Sequence, residues 1–360
     1  MRHLNAAKVS LQMPSPLTGV GNLYLWPADW SDAPSLILQL DAAEARYEVL
    51  ELARCMTVAV DDGCIVSLLD RLRHSHSDVQ LETTKVLLMH GQTAPGLMDI
   101  PRAESLKSYI AQARARWLME LLNQDRLDTH FQPIVDAQDT TRVHAHEALM
   151  RGHDGEGGMI PPFRMITAAR DARLMGVLDT LSISRAFRAA NERSLSTRIF
   201  LNVTPSTITR ESFTADKISR ECRAQGVEPQ RVVLELIESE SISDMSATVE
   251  RLDAFRAAGF SVALDDVGAG FSNLNLLHQL RPDVVKLDMD LTRDIHEDPY
   301  KAVVATKILE LAAHLEIDTV VEGVEAIEEL EWFRERGVTY AQGYLIAKPC
   351  AEPLTRGPRL

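Results

Sequence analysis

Carboxylates recur in this chain at the places where apolar runs end. Glu147 lies near the end of the run over residues 143–149, Asn202 near the end of 199–203, and Glu235 and Glu238 fall within 232–238. Asp265 and Asp266 close residues 261–266, Asp288 follows Lys286, Glu322 and Glu325 flank Gly323, and Gln342 precedes Gly343. These residues interrupt apolar runs instead of decorating helix faces, so they read as one site and not as solvated surface charge. Carboxylates converging on a common rim repel one another severely unless cations intervene. Hard oxygen ligands of this kind suit Mg²⁺ or Mn²⁺ better than zinc. Two such ions, ~3.5–4 Å apart, would serve in-line attack on a phosphodiester.

Asp265 and Asp266 are neighbours, and neighbouring side chains on an extended strand point to opposite faces. Both reach one site only if the strand ends or bends there, which Val267-Gly268-Ala269-Gly270 permits. Lys286 stands alone among the acids. It reads equally as a salt bridge that stabilises them and as the group that positions or deprotonates an attacking water; the two roles are compatible. His144 and His146 precede Glu147, and alternation puts them on the opposite strand face as packed or capped histidines.

The elements that must carry these residues alternate between strand and helix. An extended pair over residues 131–135 and 143–149 flanks a polar turn. Six further strands are expected at 199–203, 232–238, 261–266, 284–288, 319–324 and 340–345, separated by helices. Three of those helices stop at Gly226, Gly259 and Gly337, where a left-handed residue costs little. Apolar strands alternating with helices imply parallel strands and crossover connections. Eight strands in about 230 residues is the size of a closed (β/α)8 TIM-type barrel, and the opening hairpin makes it a modified one with one antiparallel strand.

Before the barrel, residues 23–26, 35–45, 47–52, 56–60, 65–73 and 79–88 read as β-α-β-β-α-β, a small α+β unit of ferredoxin-like order. The expected organisation is a flexible tail over 1–17, a small regulatory α+β domain over 18–100, a connecting helix over 101–124 and the barrel over 125–356. That helix spans 103–123, with Leu106, Ile110, Trp117 and Leu121 on one side.

Composition bounds the partners. With 45% hydrophobic and 25% charged residues the chain is globular, and 38 Lys+Arg against 52 Asp+Glu leave a net charge of −14. So acidic a chain is a poor trap for DNA or RNA, whose binding rests on phosphate neutralisation. Cys55, Cys64, Cys222 and Cys350 are far apart with no C-x-x-C, which argues for reduced, packed thiols. The polar, proline-broken start has no secretory h-region, and no apolar run reaches the ~18 residues of a membrane span. A cytoplasmic protein without membrane insertion is expected.

Phe131-Gln132-Pro133-Ile134-Val135, Glu147-Ala148-Leu149-Met150-Arg151, Asn202, Glu235-Leu236-Ile237-Glu238-Ser239, Asp265-Asp266-Val267-Gly268-Ala269-Gly270, Lys286-Leu287-Asp288, Glu322-Gly323-Val324-Glu325 and Gln342-Gly343-Tyr344 resemble, in order and spacing, the EAL-domain phosphodiesterases of bacterial cyclic di-GMP signalling. The resemblance covers roughly residues 125–352. It implies a modified β/α barrel that hydrolyses one phosphodiester of cyclic di-GMP to linear pGpG with two divalent cations, Mg²⁺ or Mn²⁺; the longer, looser coordination of Ca²⁺ makes that ion an expected inhibitor. It assigns metal coordination to Glu147, Asn202, Glu235, Asp265, Asp266 and Glu322. Lys286 takes the role of orienting or activating the water, with Glu325 and Gln342 supporting the metal-water shell. Gln132, Leu149, Arg151 and Asp288 fall at substrate-binding positions, and Glu238 anchors the loop after Asp266.

Every implied ligand is present. The departures are Val267 and Ala269, where the family loop usually carries phenylalanine and threonine. That loop contributes to dimer coupling in the family, so a homodimer with a less firmly packed face is expected. The alternatives are a cyclic di-GMP receptor with little or no turnover, and an unrelated acidic β/α barrel such as a metal-dependent lyase. Residues 1–120 lack the glycine-glycine-acid-acid-phenylalanine signature of a diguanylate cyclase, and by position resemble a regulatory module.

Overall fold

Apolar residues two apart along the chain build both sheets of this protein. The structure, a computed structural model, describes residues 20–61, 64–91, 94–236, 242, 244–268 and 273–360. The expected tail over 1–17, Glu238 and Ala269 lie outside the described residues. The chain divides into two compact units, Met1–Gln124 with Phe163–Val177, and Asp125–Pro162 with Leu178–Leu360.

In the first unit, β1 (Gly21–Trp26), β2 (Arg46–Leu50), β3 (Cys55–Val60), β4 (Lys85–His90) and β5 (Glu104–Ser105) form an antiparallel sheet ordered β2-β3-β1-β4-β5. β3 separates β1 from β2, and β1 separates β3 from β4, as in a ferredoxin-like split βαβ sandwich. Leu23, Leu25, Met56 and Val58 turn one sheet face onto Leu36 and Leu40 of helix Ala33–Ala42 and Leu68, Leu69 and Leu72 of helix Cys64–Ser75.

Two expected elements differ. The stretch over 79–88 is not one strand: Asp78–Thr83 is a helix, and β4 begins only at Lys85. Ser77 and Gln80 form a reciprocal capping box, with the Ser77 amide donating to Gln80 Oε1 at 2.9 Å and the Gln80 amide to Ser77 Oγ at 3.3 Å. Local capping outweighs the β-like composition there. The long helix over 103–123 is two, Leu106–Arg114 and Arg116–Asn123, broken at Ala115. The first buries Leu106, Tyr109 and Ile110 in the α+β core. In the second Leu118, Leu121 and Leu122 are buried, while Trp117 lies under the Arg164 guanidinium at 4.8 Å from the ring centroid. Arg164 comes from the Phe163–Val177 stretch that groups with this unit rather than with the barrel.

In the second unit the strands are β6 (Leu127–Asp136), β7 (Val143–His153), β8 (Met159–Ile160), β9 (Arg198–Val203), β10 (Val232–Leu236), β11 (Ser261–Val267), β12 (Val284–Leu287), β13 (Asp318–Val321) and β14 (Tyr340–Ala341). Their order β6-β14-β13-β12-β11-β10-β9-β7-β8, with β6 also pairing β7, closes an eight-stranded ring and leaves β8 outside it. β6 runs antiparallel to both neighbours, β7 and β14, and the remaining ring pairs are parallel. Gly226, Gly259 and Gly337 all have positive φ, as their place at helix ends requires.

One interior layer of the barrel is apolar: Ile134, Ala145, Phe200, Val233, Ala263, Val284 and Val320, with Tyr340 packed against it. The segment over 350–360 returns to the first hairpin. Phe131 and Cys350 exchange backbone hydrogen bonds at 2.8 and 3.2 Å, and Thr140 Oγ1 donates to the Pro358 carbonyl at 2.8 Å.

Candidate metal centre

Side chains on one strand face repeat every two residues, so the apolar layer dictates what lies above it. Two residues beyond Ala145, Phe200, Val233, Ala263, Val284, Val320 and Tyr340 come Glu147, Asn202, Glu235, Asp265, Lys286, Glu322 and Gln342. In antiparallel β6 the count reverses, and Gln132 lies two residues before Ile134. Each of the eight strands therefore delivers one polar side chain to a single layer.

Lys286 is at its centre, 1% exposed. Its ammonium contacts the Glu235 carboxylate and lies 2.5 Å from Glu322 Oε1, 3.4 Å from Glu147 Oε2 and 3.6 Å from Asp265 Oδ1. Burial opposes its charge, but Asp265, Glu147, Glu235 and Glu322 outweigh that and hold its pKa well above the lysine range. Glu147 accepts from Asn202 Nδ2 at 2.8 Å and Gln342 Nε2 at 2.7 Å. Burial disfavours its charge too, yet Lys286 and these two donors keep it below the usual carboxylate range. Gln342 Nε2 also reaches Gln132 Oε1 at 3.1 Å, and Gln132 donates on to the Ala347 carbonyl at 3.2 Å.

The remaining acids go the other way. Burial, then repulsion from Asp265, Glu147 and Glu322, pushes Glu235 well above its ordinary value despite Lys286. Burial with repulsion from Asp265 and Glu147 raises Glu322 to about 8, and burial with Asp265 and Asp288 nearby raises Asp266 to about 7.

Asp265 and Asp266 do meet at one site, but the bend is earlier than expected. Asp266 itself has φ 57°, and the β11–β12 register shifts between Leu264 and Val267. Aspartate is among the few residues that tolerate the left-handed region, so the second acid makes its own turn. Val267 then pairs with Leu287 and is 1% exposed; it belongs to the core, not to an open face.

Among the described residues two sets of carboxylates result, each with one oxygen per residue within 4.8 Å of the others: Glu147, Glu235 and Glu322, and Asp265, Asp266 and Glu322. Glu322 is common to both. The donor set suits hard cations, because Glu235 Oε2, Asp265 Oδ1 and Gln342 Oε1 are buried acceptors with no hydrogen-bond donor among the described residues. Such oxygens are costly unless something positive meets them.

Other expected residues lie around this layer. Leu149 and Arg151 follow Glu147 at intervals of two along β7, and the half-buried Arg151 feels the charge of Glu147. Asp288 accepts from the Asp290 amide at 2.8 Å and stands beside the Asp266 carboxyl. Glu325 is held by Arg293 at 2.6 and 2.7 Å, an exposed pair. Gly323, between Glu322 and Glu325, has φ 63°, and a Cβ there would lie 2.4 Å from Met289 Cβ.

The histidines separate. His146, 1% exposed, bonds Thr197 Oγ1 at 2.8 Å and the Leu354 carbonyl at 3.0 Å, and burial lowers its pKa to about 4. His144 does not follow the alternation. Val135 pairs with Val143 and Ile134 with Ala145, so His144 is a bulge residue, and its ring stacks on Tyr340 at 4.1 Å.

Two buried acids escaped the sequence reading because neither ends a strand. Asp179 accepts from the Thr204 amide, Thr204 Oγ1 and Thr207 Oγ1 at 3.0, 2.8 and 2.6 Å, tying down the loop after Asn202. Glu329 accepts from the amides of Glu325, Ala326 and Asp294 at 2.9, 3.1 and 3.0 Å, fixing the turn after Glu322. Glu329 was findable as an acid in the first turn of a helix; Asp179, inside one, carried no signal.

The raised carboxyls make metal binding pH-dependent. At about pH 6 Glu322 and Asp266 are protonated, so a cation must displace their protons; at about pH 9 it need not. Mn²⁺ affinity is expected to rise across that window, with proton release at the acid end. Without metal the sign for stability is opposite. Both groups hold protons in the folded state that they lose in the unfolded state above about pH 4, so stability falls as pH rises toward about 8. Titration calorimetry in two buffers of different ionisation heat, with melts at each pH, checks both; pH-independent Mn²⁺ affinity would refute the linkage.

Among the described residues no helix is long and apolar enough to cross a membrane. A family model described as the EAL domain matches residues 115–349. An uncharacterized signaling protein of Caulobacter vibrioides is 31% identical over 329 residues, covering 90% of this chain and 39% of that protein. An alignment so long must reach well into the first unit. The cyclic di-GMP phosphodiesterase NbdA of Pseudomonas aeruginosa is 30% identical over 236 residues, 64% of this chain and 30% of its own. The chain thus spans well under half the length of either relative. Among solved structures, the FimX EAL domain of Xanthomonas citri in complex with c-diGMP superposes with a TM-score of 0.61 at 25% identity, covering 68% of this chain and 95% of that one.

Proposed function

This chain belongs to the EAL domain family, and from that premise we propose that it hydrolyses one phosphodiester of cyclic di-GMP to linear pGpG. The observation that carries this reading is the pair of carboxylate sets sharing Glu322. Glu147, Asn202, Glu235, Asp265, Asp266 and Glu322 would hold two divalent cations, Mg²⁺ or Mn²⁺. Bound there, the cations supply the positive charge that stabilises a phosphoryl transition state and makes water nucleophilic near neutral pH.

The chain's own residues do the positioning. Lys286, kept protonated by the acids around it, acts as a donor and a fixed positive charge that orients the attacking water. Gln342 and Asn202 hold the Glu147 carboxylate in one rotamer. Arg151 offers a forked donor array to a phosphate oxygen, and Gln132, Leu149 and Asp288 shape the wall against which the dinucleotide lies.

Incubating the pure protein with cyclic di-GMP and Mg²⁺ or Mn²⁺, then separating products, is expected to yield pGpG. Tight binding of intact ligand without turnover would instead mark a receptor. Ca²⁺ is expected to bind and inhibit, since it sits at ~2.3–2.6 Å from oxygen with looser geometry than the ~2.0–2.1 Å octahedron of Mg²⁺. A rate with Ca²⁺ alone equal to that with Mg²⁺ would count against a geometry-dependent reaction.

A further inference from the structure

Strand β2 is the outer edge of the first unit's sheet; among the described residues its only strand partner is β3. An edge strand exposes a row of unpaired amides and carbonyls, and proteins usually blunt it with charge. β2 reads Arg46-Tyr47-Glu48-Val49-Leu50, with Arg46 and Glu48 exposed. Neither has an ion-pair partner among the described residues. Ala45, Tyr47 and Val49 face the helical layer and pack against its core, so Arg46 and Glu48 share the other face.

We propose that β2 pairs with the β2 of a second copy of this chain, antiparallel, about a two-fold axis through Tyr47. The charges select that register. With the axis on Tyr47, Arg46 of each copy lies opposite Glu48 of the other, Tyr47 meets Tyr47, and Ala45 meets Val49. Each of these pairs is of like polarity or opposite charge, the combinations that stabilise a sheet. Moving the axis to Arg46 sets two guanidiniums face to face, and moving it to Glu48 sets two carboxylates face to face. A shift by an odd number of residues would bring helix-side positions opposite the other face. A single-sign edge repels a copy of itself in these registers, whereas this edge attracts with the axis on Tyr47 and repels with it on Arg46 or Glu48. The interface is isologous, so the same two residues serve twice.

The test uses the full chain. Sedimentation equilibrium across a concentration series is expected to show a reversible dimer that weakens with added salt. Glu48→Arg turns both attractive pairs into repulsive ones and should raise the dimer dissociation constant at least about tenfold. Arg46→Glu should do the same, and the double variant Arg46→Glu/Glu48→Arg should restore the native value. All three changes are at exposed positions, and unaltered far-UV spectra verify that the fold is intact. In a Cys350→Ser background, Tyr47→Cys should oxidise to a covalent dimer, because facing residues lie about 4.5–5.5 Å apart between Cα atoms. A chain that is monomeric throughout, or a dimer indifferent to both the reversals and the swap, overturns the proposal. The second outcome would place self-association on another surface.

Discussion

Replacing Glu322 by glutamine is expected to abolish hydrolysis of cyclic di-GMP and to remove both cation positions together. Its carboxylate is the one member common to the two sets, so no redistribution among the other acids restores either. A fall in kcat of at least about 10²–10³-fold is expected, the size seen when one preorganised transition-state contact is lost. Calorimetric Mn²⁺ titration should show both binding events weakened. Glu147→Ala provides the contrast: turnover should also be lost, but the set formed by Asp265, Asp266 and Glu322 remains. One Mn²⁺ should then still bind, and the fold should survive, because the apolar layer beneath Glu147 is untouched. Equal loss of both binding events in Glu147→Ala, or near-native turnover in Glu322→Gln, would break this assignment.

Lys286→Met is expected to produce the largest change in stability. The side chain is buried among Glu147, Glu235, Asp265 and Glu322. Removing one partner of a buried ionic group strands the rest, at about 3–5 kcal/mol, enough to lower a melting temperature by roughly 10 °C in a domain of this size. Methionine keeps most of the volume, so the loss would come from charge. Saturating Mn²⁺ should recover much of it, since divalent cations neutralise the same carboxylates, while turnover stays low for want of the ammonium. Equal destabilisation with and without Mn²⁺ would show that packing, not charge, is what Lys286 provides.

The polar layer of the barrel was legible because strand periodicity and burial impose it. A residue that breaks an apolar run at the strand end must face the barrel mouth or be swallowed by the core, and Glu147, Asn202, Glu235, Asp265, Lys286, Glu322 and Gln342 all break such runs. The eight-stranded ring with one reversed strand followed from the same alternation. What escaped was local geometry with no period. The left-handed Asp266 and the bulge at His144 each add one step to a strand, and a one-residue step cannot be seen in a pattern of two. Alternation alone therefore put His144 on the wrong face and the bend one residue too late. The helix Asp78–Thr83 was a different kind of miss. Ser77 and Gln80 carry a capping signature, but the valines and leucines around them suggested a strand. Glu325, grouped with the site by its spacing from Glu322, is met by Arg293, a partner that strand spacing gives no sign of.

The return of residues 350–360 to the first hairpin has a consequence for how the protein is made. β6 is the first ring strand to leave the ribosome, yet its second neighbour is β14, and Phe131 finds Cys350 only across more than half of the chain. Until residues 340–350 have been synthesised the ring has two free edges, and Gln132 has neither Gln342 nor the Ala347 carbonyl to bond. At about 5–20 residues per second, that leaves the hairpin waiting roughly 10–40 s for its closing strand. The nascent barrel thus carries converging carboxylates on an open sheet, with Lys286 arriving only after Glu147, Glu235 and Asp265. Both carboxylate sets are complete once Glu322 has been made, before the closing strand exists.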